Sequence, residues 1–593
     1  MRLDDLCSLP VLAERTAAER ADATGFLVPG EGGFRAVPYG AWWSAIENLA
    51  VRLRRAGVQP GDRVLLMMET RYEWLICDLA ILSCGAWSVP IYPNLPSSQL
   101  AHPIEDAEPC AAVVTRPELA MRLLRAPVAR QRLNAIFVLD GTVPRELELP
   151  VHSVRAILDG PSAGDDEKAA LRQVWERIAP ADPATILYTS GTGSTPKGVV
   201  LTHASILANG RSIAATLSFS PADRYLSILP LAHTMERTVS YTMIANGVCI
   251  AYARGIETFA RDAGLVRPTV FLGVPRLFNS VLVSVREAAR ARGGLAPWML
   301  RMAEAAAMRR GRRGPSRVGR GHGIELLWER LFFRPLRERF GGQLRYIVSG
   351  SAPLGRRENL FLCGAGLPML EGYGLTEAGP VVSVNTPAAW KEGSVGRPLA
   401  GVDVRIAEDR EILVRSPGVM AGYWNLEAET HRALEGGWLH TGDLGELDGD
   451  GFLTITGRKK EMIVTSGGKN VAPQPIEDRL RQSPFIREAV VFGDRRPHLV
   501  ALLVIDRDAL AVHMKEESIE SIAEPRLRLF LRKEIQRLTS DLAPHERIRN
   551  FDLLDPPPSI DAGTLTPSLK VRRSVLEAQQ AERIAALFEA RRR

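Results

Sequence analysis

The stretch Tyr188-Thr189-Ser190-Gly191-Thr192-Gly193-Ser194-Thr195-Pro196-Lys197-Gly198 concentrates serine and threonine hydroxyls, three glycines and one lysine. Glycines let a backbone approach a ligand closely, and hydroxyls with free N–H groups can surround phosphate oxygens. Lys197 adds a point charge. The stretch follows an apolar run, Ala184 to Leu187, that reads as the end of a strand. Together these features predict a phosphate-binding loop. Two familiar versions are excluded. A Walker A loop ends in Gly-Lys-Ser/Thr, whereas Pro196 precedes this lysine and Gly198 follows it. A dinucleotide fingerprint needs a glycine three residues after Gly193, where Pro196 stands. The rival reading is a flexible Ser/Thr/Gly linker, against which the preceding strand and the internal lysine argue.

Glu371-Gly372-Tyr373-Gly374-Leu375-Thr376-Glu377 is the second candidate. Its glycines permit an unusual backbone path, Tyr373 offers a face for stacking, Thr376 a hydroxyl and Glu377 a hard oxygen ligand for Mg²⁺. By itself it is equally a glycine-rich turn with a surface glutamate. Gly350-Ser351-Ala352-Pro353-Leu354 puts small residues at a strand end, where a planar ring could approach the backbone. His233, Asp443 and Lys570 each have an ordinary reading too: a core histidine, a turn aspartate and a solvated lysine in a basic run.

The elements around these residues alternate. Tyr39 to Gly57 reads as an amphipathic helix, Val64 to Met68 as a buried strand, Tyr72 to Cys84 as a helix and Trp87 to Ile91 as a strand. Ala111 to Thr115 and Ala135 to Leu139 add two strands, and Gly160 to Ala170 reads as a polar connection. Strands alternating with helices predict a parallel α/β sheet. The chain of 593 residues is long enough for three or four folding units. Six cysteines form no CxxC pair, no His/Cys cluster has zinc-ligand spacing, and Met1 to Pro10 has no apolar signal region. A reduced, cytoplasmic setting is expected.

The net charge of +7 is local: residues 301 to 345 hold twelve arginines and four glutamates, leaving the rest near −1. A chain-wide nucleic-acid surface is thereby excluded. The centre of the segment, Arg309 to Gly323, reads as a mobile Arg/Gly-rich loop. It is either a solvated insertion or a peripheral contact with anionic lipid at the inner face of a membrane.

The phosphate loop closely resembles that of the AMP-forming adenylating enzymes: acyl-CoA synthetases, peptide-synthetase adenylation domains and luciferases. It departs from them at Gly193-Ser194, where the family usually has Thr-Gly. Glu371 to Glu377 matches the family's second core motif residue for residue. Leu229-Pro230-Leu231-Ala232-His233-Thr234-Met235-Glu236-Arg237 and Leu565-Thr566-Pro567-Ser568-Leu569-Lys570 resemble the long-chain fatty-acid–CoA ligase branch. The resemblance runs from about Tyr39 to Arg573, with at least six motifs in family order.

What the resemblance implies is specific. The fold is α/β: a large N-terminal region of several subdomains with parallel sheets and a β-rich subdomain, residues 1–459, and a small mobile α+β C-terminal domain, residues 460–593. ATP is held by Thr189, Ser190, Gly191, Thr192, Gly193, Ser194 and Lys197. Ser351, Ala352 and Pro353 flank the adenine, Gly372, Tyr373 and Gly374 belong to the same nucleotide site, and Asp443 and Arg458 hold the ribose. Glu377 holds Mg²⁺ and acts with Thr376. His233 lines the acyl site, Lys570 is catalytic, Lys460 is the hinge, and Gly467 and Gly468 border the coenzyme A channel. Glu236 and Arg237, close to His233 in the chain, have an ordinary reading of their own as a structural ion pair. The implied reaction makes acyl-AMP and pyrophosphate from a fatty acid and MgATP, then passes the acyl group to coenzyme A. Two alternatives stand beside it: a fatty acyl-AMP ligase serving a carrier protein, and a catalytically silent lipid-binding relative. The stretch Val402 to Leu413 has no room for the insertion that restrains the C-terminal domain of such ligases, which favours coenzyme A.

Overall fold

The computed structural model describes residues 6–141, 149–189, 195–315, 324–350, 354–516, 525–566 and 570–589. Ser190 to Ser194 of the loop and Ser351, Ala352 and Pro353 lie outside the described residues.

Short apolar runs with no polar alternation become strands covered on both faces. Val64, Leu65, Leu66 and Met67 are fully buried, as are most residues of Ala111–Val114 and Ala135–Val138. Truncating one of them, such as Leu66→Ala, would cost about 2–5 kcal/mol. Ahead of them in the chain, Tyr39–Arg55 turns Trp42, Ile46, Leu49 and Leu53 onto one face and stops before Gly57, whose φ of +98° no side chain tolerates well. Helix Tyr72–Ser83 is buried over nearly its whole length.

The strands form two large sheets. One has eight described strands in the order 422–423, 197–202, 183–189, 87–90, 63–67, 111–114, 135–138 and 151–153. The other has nine, ordered 397–398, 383–384, 369–373, 346–349, 270–273, 224–227, 249–252, 24–30 and 33–38. Their inner strands pair in parallel, with antiparallel strands at the edges. A four-stranded antiparallel sheet, 403–406, 411–415, 439–447 and 453–458, supplies the β-rich part. From Ile463 on, a three-stranded sheet and its helices enclose apolar clusters of their own; the clusters of the preceding residues end at Ile455. The expected α/β class is observed.

Three expectations need correction. The polar stretch Gly160 to Ala170 is not all connection: Asp165–Trp175 is a helix, with Asp165, Asp166 and Glu167 in its first turn and Leu171 and Trp175 buried. Arg309 to Gly311 are not loop; they end helix Ala296–Gly311, whose Ala303, Ala306 and Ala307 pack on helix Arg356–Gly364. Residues 316–323 lie outside the described part. Glu236 and Arg237 do not pair with each other, because neighbours on a helix point about 100° apart. Glu236 accepts from Tyr225 at 2.7 Å and Ser227 at 2.5 Å. Arg237 forks onto Asp78 at 2.8 and 2.9 Å. Among the described residues no helix is long and apolar enough to cross a membrane, and no cluster of metal-binding side chains is assembled.

Candidate active site

The glycine-rich loop joins two antiparallel strands, Pro183–Thr189 and Lys197–Thr202, in register from Thr189 opposite Lys197. The strands on either side of it form a hairpin, and a strand, not a helix, follows it. Thr189 Oγ1 donates to the Lys197 carbonyl at 3.5 Å, closing the base. On the far side, Gly422–Tyr423 pairs with Val199 and Val200. That pairing brings Tyr423 beside Lys197, whose Nζ stands 4.7 Å from the ring centroid. Lys197 Nζ also donates to Glu429 Oε2 at 2.6 Å, and that bond lowers the Glu429 carboxyl from its ordinary value.

Tyr423 extends the connection to the second motif: its hydroxyl donates to Glu377 Oε1 at 3.1 Å. Thr376 and Glu377 form a single 3₁₀ turn after strand Met369–Tyr373. Gly374 is needed there sterically, since a Cβ would stand 1.8 Å from the Pro380 carbonyl oxygen. Tyr373, at the end of the strand, donates to Asp443 Oδ2 at 2.7 Å. Arg458 Nε donates to Asp443 Oδ1 at 2.7 Å, so the carboxylate is oriented from both ends. Burial pushes the Tyr373 phenol far up, and the Asp443 charge pushes it further, so its proton stays in place. Burial opposes the Arg458 charge, but Asp443 outweighs it. Asp443 and Arg458 lie opposite each other in register on neighbouring strands.

Lys570 reaches this site from the far end of the chain. Leu565 bridges to Val571, Thr566 N–H donates to the Lys570 carbonyl at 2.8 Å, and Lys570 N–H donates to Thr566 Oγ1 at 3.0 Å. Lys570 is exposed, yet many protein atoms surround its side chain. Desolvation there, and then Arg458, pull the ammonium below its ordinary pKa, while Asp443, Glu461 and Glu377 oppose the shift. The same lysine acts on His233, which burial first and Lys570 second hold down to about 4. His233 is thus a neutral imidazole at neutral pH. Its Nδ1 accepts from Met235 N–H at 3.2 Å, capping helix Thr234–Ala245.

That helix walls an apolar cavity of about 40 Å³. Met235, Val239 and Met243 line it with Val270, Val348 and Gly372. His233 is not part of the wall; it caps the helix that is. Lys460 is an exposed member of the turn Lys459–Glu461, which leaves the four-stranded sheet, and Gly467 and Gly468 lie in the exposed turn between strands Ile463–Val464 and Asn470–Val471. Lys460 lies near enough to Glu429 for its charge to lower that carboxyl further. The site thus takes Lys197, Glu377 and Asp443 from three different sheets and Lys570 from the C-terminal part.

Sequence reasoning missed Tyr423, Glu429 and Glu371. Glu371 accepts from Asn359 at 2.6 Å and from Leu354 N–H at 3.4 Å, so it ties down the end of the small-residue segment expected at the adenine. Burial raises its carboxyl to about 7, against those two donors. Tyr423 lies in the Gly-rich string Gly418 to Trp424, and only the strand pairing shows what it faces.

A family model described as AMP-binding enzyme matches residues 13–424, and one described as AMP-binding enzyme C-terminal domain matches residues 460–592. The chain is 36% identical over 558 residues to the long-chain-fatty-acid–CoA ligase FadD15 of Mycobacterium bovis, covering 92% of this chain and 90% of that protein. It is 30% identical over 551 residues to the human long-chain-fatty-acid–CoA ligase 1, covering 87% and 77%. The anthranilate CoA ligase AuaEII in complex with anthranoyl-AMP shares the fold with a TM-score of 0.72 at 19% identity, covering 98% of this chain and 99% of that one. The A domain of the carboxylic acid reductase from Segniliparus rugosus does so with a TM-score of 0.76 at 18% identity, covering 98% and 94%. On these matches, the chain belongs to the AMP-binding enzyme family.

Proposed function

We propose that the protein is an AMP-forming long-chain-fatty-acid–CoA ligase. The observation that carries this reading is the hydrogen-bonded set that joins Lys197 to Glu429, Tyr423 to Glu377, and Tyr373 and Arg458 to Asp443, beside an apolar cavity that Gly372 lines. The names of its relatives support the same substrate class.

In the first step a carboxylate oxygen attacks the α-phosphorus of ATP, and the bond to the bridging oxygen of pyrophosphate breaks. Two anions must meet in line, so fixed cations are needed where negative charge gathers. Lys197 would serve the phosphates. Lys570 would bridge the acid and the nucleotide, fixing their mutual orientation. Asp443, oriented by Tyr373 and Arg458, would accept from the two ribose hydroxyls. Mg²⁺ fits this donor set: magnesium is commonly held by one or two carboxylates, substrate phosphates and water, and Glu377 offers a carboxylate steadied at one oxygen by Tyr423. Bound there, the ion would neutralise charge on the phosphates. His233, neutral at the start of the helix that walls the cavity, would offer a carboxylate no ion pair.

In the second step the sulfur of coenzyme A attacks the acyl carbonyl and AMP leaves. A thiol path and Lys570 cannot occupy the same space, so residues 460–593 would swing about Lys460 between the steps, bringing Gly467 and Gly468 to the new channel. The separate apolar clusters before Ile455 and after Ile463 support two bodies divided at residues 459 and 460.

Pyrophosphate release with ATP, Mg²⁺ and straight-chain acids from acetate to oleate, with and without coenzyme A, tests the reading. Each CH₂ buried in the cavity is worth about 0.8 kcal/mol, or about fourfold in kcat/KM, until the cavity is full. Turnover that requires coenzyme A and rises in this way is expected. A single stoichiometric burst unchanged by coenzyme A, or no release with any acid, would overturn it.

A further inference from the structure

The hairpin that carries Lys197 is not held by its own backbone pairing alone. Pro196 has no N–H, so its strand offers no donor to the facing strand one residue beyond the Thr189–Lys197 pair. Helix Ser97–Ala107 packs against this hairpin. Its Leu100, Ile104 and Ala107 share one apolar cluster with Ile186 and Val200, one from each of the two hairpin strands. The helix is thus seated on the sheet by its apolar face, which leaves its polar side chains a fixed platform.

Two of those side chains, His102 and Asp106, stand four residues apart and so lie on one helix face. Each grips a different strand of the hairpin. His102 Nε2 is 2.8 Å from the Pro196 carbonyl oxygen, and a carbonyl only accepts, so Nε2 carries the proton and donates. Asp106 Oδ2 accepts from the Tyr188 hydroxyl at 2.7 Å. The His102 ring also meets the Tyr188 ring edge-on, with centroids 5.8 Å apart. Burial first, and the Asp106 bond second, push the Tyr188 phenol far up, so it stays a donor. Asp106 is fixed in turn. Its Oδ1 accepts from Asn425 Nδ2 at 3.2 Å and its carbonyl from Trp424 Nε1 at 2.9 Å, while Trp424 N–H donates to the Gly198 carbonyl at 2.7 Å. Tyr188 precedes Thr189 and Pro196 precedes Lys197, so both grips fall next to the Thr189–Lys197 pair.

We propose that His102 and Asp106 are positioning residues for nucleotide binding: a two-point clamp that fixes the backbone from which Lys197 meets the phosphates of ATP. His102 acts through Pro196 and Asp106 through Tyr188, and neither needs to touch the nucleotide. An ammonium on a flexible four-carbon stem is a poor anchor unless its backbone is held, because the geometry lost at the stem is lost at the phosphate. Contacts that served the fold alone would affect stability without preferring one substrate over another. The inference rests on the ligase reading only in assigning ATP to Lys197; it needs no particular acid and no acyl transfer.

Titration calorimetry of the full chain with MgATP, without acid, tests this together with pyrophosphate release at varied ATP and varied acid. His102→Leu should weaken ATP binding and raise the KM for ATP about fivefold, the scale of one hydrogen bond, and leave the KM for the acid at its wild-type value. Tyr188→Phe, which removes the donor to Asp106, should do the same. The double variant should lose at least the product of the two effects, because each bond alone still holds one strand. His102→Gln, whose amide can donate to the same carbonyl, should restore most of the affinity. Melting temperatures of the single variants should stay within a few degrees of wild type. Wild type that does not bind MgATP, ATP binding unaltered in both single variants, equal rises in the KM values for ATP and acid, or no rescue by His102→Gln would overturn the clamp. Wild type that binds MgATP and shows this variant pattern in calorimetry, yet releases no pyrophosphate with any acid, would instead count against the ligase reading and leave the clamp standing.

Discussion

Lys197 and Glu429, 232 residues apart in sequence, are joined by a 2.6 Å ion pair that lies against Tyr423, and Tyr423 carries the contact on to Glu377. The glycine-rich hairpin and the second motif are thereby connected before any nucleotide arrives. Both members of the pair are partly exposed, and such pairs contribute about 0.2–1 kcal/mol. An ammonium has three donors, so Lys197 can keep Glu429 and still meet a phosphate. Lys197→Ala is therefore expected to raise the KM for ATP tenfold or more, and Glu429→Gln to raise it less than about fivefold. Steady-state kinetics at varied ATP decides; equal effects would make Glu429 as important as the lysine it positions.

Lys570→Ala should slow acyl-AMP formation by at least about a hundredfold, the scale of losing one charge-stabilising group in the transition state. Thioester formation from supplied acyl-AMP should stay within a few-fold of wild type. Lys460→Pro should do the converse. Measuring the two half-reactions separately checks both, and equal loss of both halves in Lys570→Ala would remove its assigned role.

Asp443→Asn replaces an acceptor-only carboxylate by an amide that must turn a donor toward either Tyr373 or Arg458. It should raise the KM for ATP and lower kcat, while Tyr373→Phe, which leaves the Arg458 pair intact, should be milder. Deoxy-ATP provides the control: Asp443→Asn should discriminate against it less than wild type does.

Glu236 is fully buried among Tyr225 and Ser227, and burial raises its carboxyl to about 7 despite those donors. The folded state therefore holds this proton more tightly than the unfolded chain does. Its effect is absent at pH values below the ordinary carboxylate range; stability is lost as pH rises from about 4.5 to 7 and stays lost above. The linked cost is roughly 3 kcal/mol. Glu236→Gln should leave the melting temperature at pH 4.5 nearly unchanged and raise it at pH 8. Melting curves across that range provide the check, and parallel pH profiles would show that the carboxyl is ionised throughout.

The parallel strands were legible because burial on both faces leaves unbroken apolar runs such as Val64 to Met67. The motifs around Tyr188, Glu371 and Leu565 were legible because their glycines, hydroxyls and lysines are rare in such density. What was not legible depends on distant pairings. Nothing near Glu429 announces a partner at Lys197; the antiparallel pairing of Gly422–Tyr423 with Val199 and Val200 creates that contact. Nor could sequence separate Glu236 from Arg237, whose partners, Tyr225 and Asp78, sit on different elements. The helix at Ala296–Gly311 was read as loop at its end because arginines and glycines dominate there; three small alanines facing helix Arg356–Gly364 override that composition.

Strand Met369–Tyr373 carries one further consequence. Gly372 faces the apolar cavity, and the next residue, Tyr373, holds Asp443 on the polar side. Oil and salt are thus kept apart here by a wall a single polypeptide thick. Such a wall cannot be remodelled on one side only: a bulkier residue at 372, whose Cβ would already stand 3.2 Å from the Ser383 carbonyl oxygen, pushes on both rooms at once. Lineages that alter the length of acid they accept would then be expected to do so at other lining residues, such as Phe219 and Leu399.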